Sequence, residues 1–205
     1  MTEQIVAYML SCAARDGVRA ATLGRLAITD WGDDVVVVLD ETGAERPQER
    51  QERTARRLLE TAAADGAELV LFLEDDLEFN VHLRHNLAHW APLRAAGADG
   101  HLLGSLYNPG VVAVERHLEQ AFSIAHPETV YGSQAFLLSR ETVAHVLAGW
   151  HAVIGMQDIR IARLAAAAGP IHYHWPSLVQ HVDAASTWGG TPHWARDYDA
   201  SWRAA

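Results

Sequence analysis

Three short apolar runs set the fold class of this chain. Ile5 to Leu10, Val35 to Leu39 and Leu69 to Leu73 are almost wholly apolar, and each is too short for a buried helix. Helical segments fill the intervals. Asp16 stands at an N-cap position before Val18, Leu23 and Leu26, and Trp31-Gly32-Asp33-Asp34 closes that segment. Arg53 to Ala64 is helical in pattern, with Gly66 just past its end as a stop. An uninterrupted apolar strand, unlike an alternating one, has both faces covered, and strands separated by helices pair in parallel. The prediction is an α/β fold with a mostly parallel sheet flanked by helices. Val35 to Leu39, four valines and a leucine, reads as its clearest buried strand.

The second half is less regular. Asn80 reads as the cap of a helix whose apolar positions are Val81, Leu83, Leu87, Trp90 and Leu93. His101 to Leu106 reads as a strand, and Val111 to Val114 with Ala121 to Ala125 as a small β-hairpin. Ala135 to Leu138 is a further strand, with Ser139 capping a helix that ends near Gly149. Asp158 to Ala168 is helical and stopped by Gly169-Pro170, and Ile171 to Val182 is extended with a break at Pro176. From Asp183 onward the chain is loop-rich and carries Trp188, Trp194 and Trp202, a candidate flap. No repeat or low-complexity linker divides the chain, so residues 1–205 are expected to form one domain.

Composition removes several functions. Sixteen basic against twenty-six acidic residues leave a net charge of −10, which opposes binding to nucleic acid or an anionic membrane. All sixteen basic residues are arginine, so no P-loop lysine, kinase lysine or Schiff-base lysine is present. The single Cys12 rules out an intramolecular disulfide, a cysteine-rich zinc site and a redox Cys pair. Leu10-Ser11-Cys12 looks like a lipoprotein signal, but the segment before it carries Glu3, no positive charge and too short an apolar run. No run approaches the ~18 apolar residues of a membrane span, and a cytoplasmic location is expected.

Chemistry concentrates at Glu74-Asp75-Asp76, directly after the third apolar run. The crevice beyond the carboxyl ends of the strands is where open α/β sheets bind ligands. Adjacent carboxylates repel, so the triplet calls for a cation or hydrogen-bond donors, and a hard divalent ion such as Mn²⁺ or Mg²⁺ suits oxygen ligands. A solvated acidic turn is the alternative.

Leu73-Glu74-Asp75-Asp76-Leu77-Glu78 resembles the acidic motif of nucleotide-sugar-dependent glycosyltransferases of the GT-A fold, in the Glu-Asp-Asp form found in N-acetylglucosaminyltransferases. Tyr131-Gly132-Ser133-Gln134-Ala135-Phe136-Leu137-Leu138-Ser139-Arg140 resembles the glycine-led segment of these enzymes that lines the donor and acceptor site. Pro176-Ser177-Leu178-Val179-Gln180-His181-Val182 resembles a segment near the end of several such catalytic domains, departing from it at Asp183, where a Gly is usual. The three matches stand in the expected order and, with the strands around them, span most of residues 5–187. The resemblance implies a Rossmann-like GT-A domain, with residues 1–105 as the nucleotide-binding half, 106–187 as the acceptor and catalytic half and 188–205 as a tail or flap.

The resemblance also implies roles. Asp76 is the metal ligand, with His181 completing the metal shell, and Glu74 and Asp75 contact the donor. Ser11, Asp40, Gly132 and Gln134 are further donor-binding residues. Asp158, opening a helix after Gln157, takes the place of the base in inverting relatives; an ordinary N-cap would look the same. The departing diphosphate needs positive charge, and in a lysine-free chain Arg15, Arg53 and Arg57 are the candidates. The expected partners are a nucleotide-sugar donor, UDP-sugar favoured, and a glycan, lipid, peptide or small-molecule acceptor. Two other readings stay open: a metal-dependent hydrolase built on Asp76, His172, His174 and His181, and a domain that binds nucleotide or glycan without turnover.

Overall fold

The computed structural model describes residues 4–41, 43, 46–97, 100–110, 113–184 and 193–205. Val111 and Val112 of the expected hairpin and Trp188 of the expected flap lie outside them. In chain order the elements are β1 (Ile5–Ser11), α1 (Asp16–Ala27), β2 (Val35–Leu39), α2 (Pro47–Ala64), β3 (Leu69–Leu73), β4 (Leu77–Phe79), α3 (Leu83–His89) and α4 (Ala91–Ala96). There follow β5 (Leu103–Ser105), β6 (Ala113–His117), β7 (Phe122–Ala125), β8 (Ala135–Ser139), α5 (Arg140–Gly149), α6 (Gln157–Ala166), β9 (Ile171–His174) and β10 (Val179–His181).

Eight strands form one sheet in the order β2-β1-β3-β8-β5-β9-β7-β6. β2, β1 and β3 are parallel, as are β5 and β9, while β8 and β7 run against their neighbours. Six strands therefore point the same way, and their carboxyl ends share one edge. β6 and β7 make the expected antiparallel hairpin. β1 and β3 are covered on both faces. Tyr8, Leu10, Val70 and Phe72 join α2, α5 and α6 in one core, and Ala7, Met9, Leu69, Leu71 and Leu73 join α1, α3 and α4 in the other. No helix among the described residues is long and apolar enough to cross a membrane.

Five local expectations need correction. β2 is the edge strand, not the most buried one: only Val38 is buried, and Val36 is 37% exposed. α1 begins at Asp16 itself, after a 3-10 turn at Ala13–Arg15, and no side chain caps it. α2 begins at Pro47, ahead of Arg53, because a proline in the first turn gives up an amide that has no helical partner anyway. The segment after Asn80 is two short helices parted at Trp90, whose backbone is extended, because Pro92 has no amide to donate and its ring would clash with the carbonyl four residues back in a continuous helix. Asn80 is no helix N-cap. It is buried, accepts from the His82 amide at 2.8 Å and holds the C-terminal tail, donating to the carbonyls of Asp199 (2.7 Å) and Trp202 (2.8 Å).

One small element escaped the hydropathy pattern. β4 and β10 pair antiparallel in a separate two-stranded sheet, with His181 opposite Leu77. The extended segment from Ile171 is interrupted at Trp175–Pro176, a cis peptide, and its two parts join different sheets.

Candidate active site

The acidic triplet bends away from the end of β3 and is pinned through its backbone. The Glu74 amide donates to the Gln134 carbonyl at 3.0 Å, and the Val182 amide donates to the Asp76 carbonyl at 2.9 Å. Thr22, buried on α1, holds the middle: its hydroxyl donates to the Asp75 carbonyl at 2.7 Å and accepts from the Leu77 amide at 3.1 Å. β3, β8, β10 and α1 thus fix the direction of three adjacent carboxylates.

Each side chain then meets its own partners. Ser11, closing β1, donates its hydroxyl to Asp75 Oδ2 at 2.5 Å. Arg15 bridges two carboxylates, with Nε on Asp75 Oδ1 at 2.7 Å and Nη2 on Asp76 Oδ2 at 2.6 Å. Arg19 backs this wall, donating to Ser11 Oγ at 3.2 Å. His181 Nε2 lies 3.2 Å from Asp76 Oδ2. On the other side Ser133 donates to Glu74 Oε1 at 2.7 Å and accepts from Gln157 Nε2 at 2.9 Å. Asp158, next in sequence, accepts the Gly132 amide on Oδ2 at 2.9 Å and the Ile159 amide on Oδ1 at 2.8 Å. Gly132 has φ +78°, a backbone conformation that strains any residue with a Cβ and so favours glycine.

The electrostatics follow from burial. Glu74 is pushed up to about 7 by burial and by the nearby Asp76 charge, partly offset by the Ser133 hydrogen bond. Asp158 adds to the same rise, which places its charge within reach of the triplet. Burial also raises Asp75, against the pull of Ser11 and Arg15. At Asp76 burial acts in the same sense, but the His181 hydrogen bond and the charges of His181 and Arg15 outweigh it, and its carboxyl is held down. The Asp76 hydrogen bond raises His181 in turn. Burial and the charges of Glu74 and Asp76 push the Tyr107 phenol up, although its hydroxyl has no hydrogen-bond partner.

Ser11, Arg15, Glu74, Asp75, Asp76, Gly132, Gln134, Asp158 and His181 are therefore brought together. Asp40 stands beside Ser11, its amide donating to the Ser11 carbonyl at 2.7 Å and its carboxylate paired with Arg50 at 3.3 Å. Arg53 pairs with Glu49 on its own helix, while Arg57 bonds the Leu39 carbonyl and Glu41 (3.0 Å); neither bonds to the triplet. Ser133, Gln157, Thr22 and Tyr107 belong to the site without having been singled out. Ser133 and Gln157 lay inside motifs already of interest. Nothing in the sequence marked Thr22 or Tyr107.

Two buried atoms bear on a cation. Asp76 Oδ1 and His181 Nδ1 have no hydrogen-bond partner. No group of three or more His, Cys, Asp or Glu side chains among the described residues is arranged to hold a metal. Two protein ligands, with water and an anionic substrate supplying the rest, is a donor set that Mn²⁺ or Mg²⁺ accepts. The residues present fit such an ion in that limited sense. His172 and His174 do not join them. They pack among Trp90, Phe122 and Trp202, with ring centroids 5.4–6.3 Å apart, and burial pushes each down to about 4.

No protein-family model and no curated protein matches the sequence. The fold does have solved relatives. A glycosyltransferase involved in glycosylation of the major capsid of PBCV-1 superposes with a TM-score of 0.51 at 10% identity, over 88% of this chain and 94% of that one. A197 from STIV superposes with the same TM-score at 13% identity, over 87% and 86%. At such identities the likeness is one of fold, and the α/β architecture is GT-A-like.

Proposed function

We propose that the chain is a metal-dependent glycosyltransferase that moves a hexosyl or N-acetylhexosaminyl group from a nucleotide diphosphate sugar, UDP-sugar favoured, to an acceptor hydroxyl with inversion. The observation that carries this is the buried acidic triplet at the strand ends, with Asp76 Oδ1 and His181 Nδ1 unpartnered beside an Arg15 bridge. Asp76 and His181 would hold a divalent ion, Mn²⁺ or Mg²⁺. When bound, the ion neutralises charge that grows on the departing diphosphate. Arg15 adds fixed positive charge at the same place.

Glu74 and Asp75 contact the donor sugar and ribose. Ser11, Asp40, Gly132 and Gln134 line the donor side, and Arg53 and Arg57 flank the β2–α2 turn. Asp158 takes the acceptor proton. Its oxygens each accept one backbone amide, which fixes the carboxylate and leaves lone pairs free. The hydrolase alternative loses support because His172 and His174 sit in the aromatic cluster and not against Asp76.

Thermal shift against UDP, GDP, CDP and dTDP, each with and without Mn²⁺, tests the donor site. One nucleotide should raise the melting temperature only with Mn²⁺, since ligand at ~100 Kd adds roughly 2.7 kcal/mol. Asp76→Ala should abolish that shift. Asp158→Asn should keep it and lower turnover by about 10²–10⁴. Full turnover in Asp158→Asn would remove the base, and no shift with any nucleotide would remove the donor site.

A further inference from the structure

A concavity opens against the C-terminal tail and uses none of the residues of the acidic site. It is a pocket of ≈ 550 Å³ whose walls include Asn108, Trp175, Arg196, Asp197, Asp199 and Trp202. Asn108 comes from the loop after β5, Trp175 from the turn after β9, and the other four from the C-terminal tail. Ser177 ties these walls together. Its hydroxyl donates to Asp197 Oδ1 at 2.7 Å and accepts from the Asn108 amide at 3.0 Å, and its own amide donates to Asp197 Oδ2 at 3.1 Å. Trp202 is fixed by Asn80 and Asn86, which donate to its carbonyl at 2.8 and 3.0 Å, and by the edge-to-face contact of its ring with His174.

What lines this pocket selects a ligand class. Trp175 is 39% exposed and gives the pocket wall an accessible aromatic surface. Arg196 has no ion-pair partner among the described residues. Two carboxylates against one guanidinium give the lining a negative balance, which repels a nucleotide diphosphate. A purely apolar ligand would desolvate the carboxylates without replacing their hydrogen bonds. A neutral pyranose satisfies both surfaces: its C–H face covers an indole ring, its hydroxyls donate to carboxylates, and its oxygens accept from guanidinium.

Position connects the pocket to the site. Asn108 directly follows Tyr107, whose buried hydroxyl feels the charges of Glu74 and Asp76. The other wall runs from Ser177 into β10, which carries His181 to Asp76. We propose that this pocket is a saccharide subsite that holds the acceptor glycan, an assignment that rests on the transfer reading above.

Saturation-transfer NMR on the full chain tests it. The probes are methyl glycosides and disaccharides of glucose, galactose, mannose, rhamnose and N-acetylglucosamine, with choline as a cationic counter-probe because two Trp and two Asp also suit an ammonium. At least one saccharide should bind without nucleotide. Trp175→Ala should weaken it about tenfold or more, as expected for loss of a central aromatic anchor, whereas Trp175→Phe should retain it. UDP with Mn²⁺ should shift the melting temperature of Trp175→Ala as it does the parent chain, which also shows that the variant is folded. No saccharide binding, unchanged binding in Trp175→Ala, or binding of choline alone would overturn the subsite. Trp175-dependent saccharide binding without any nucleotide shift would leave the pocket standing and remove the transfer reading.

Discussion

Arg15 is the residue on which the acidic site balances. It satisfies Asp75 and Asp76 together at 2.7 and 2.6 Å, and all three side chains are nearly buried. Removing one partner of a buried ionic group strands the other charges, and the cost runs to about 3–5 kcal/mol. Arg15→Met keeps the bulk and removes the charge, so it should lower urea stability at pH 7 by that order. Mn²⁺ should then recover more stability in the variant than in the parent, because a cation replaces the missing guanidinium. An Arg15→Met chain as stable as the parent would show that the bridge contributes nothing. This residue was legible in sequence by position alone, one turn past a strand in a chain without lysine. Tyr107 was not: a tyrosine after a short strand reads as core, and only the packing of β5 against β8 brings it within range of the carboxylate charges.

At the scale of elements, hydropathy located strands and failed to rank them. β1 and β3 are apolar because helices cover both their faces. β2 is equally apolar and lies at the edge, where β-branched residues also favour extended backbone by local preference. A valine run therefore reports strand and leaves its place in the sheet open. β2 supplies a direct test. Val38 is 6% exposed and packs into the core with Leu58 and Leu59, while Val36 is 37% exposed. Val38→Ala should cost about 2 kcal/mol from lost burial and the cavity left behind. Val36→Thr should stay within about 0.5 kcal/mol. Chemical denaturation of the two variants decides it, and an equal loss in both would contradict the edge placement. β4 escaped notice for a related reason, since three residues carry too few positions for any periodicity, whereas β10 falls inside the extended segment from Ile171 and only its pairing with β4 was not foreseen.

Across the whole molecule, histidines show most plainly how tertiary packing overrides a motif. His172 and His174 alternate with buried residues on β9 and looked like metal ligands in waiting. The sheet turns them instead toward Trp90, Phe122 and Trp202, with His174 Nδ1 donating to the Pro176 carbonyl at 2.6 Å. Burial holds both neutral, each with its titration pushed down to about 4 from 6.5. The unfolded chain therefore binds more protons than the folded one between those values. The stability these groups contribute is complete above pH 6.5 and is lost as pH falls toward 4. For one such histidine the loss between pH 7.5 and pH 5 is about 2 kcal/mol by linkage. His172→Phe removes one titrating ring from an aromatic setting that accepts another. Its urea stability should fall by about 2 kcal/mol less than the parent's over that interval, with the contribution of His174 and the opposite one of Glu74, pushed up to about 7, left in place. Equal pH dependence in parent and variant would mean that His172 is free to charge in the folded protein, and that the aromatic cluster does not exclude water from it.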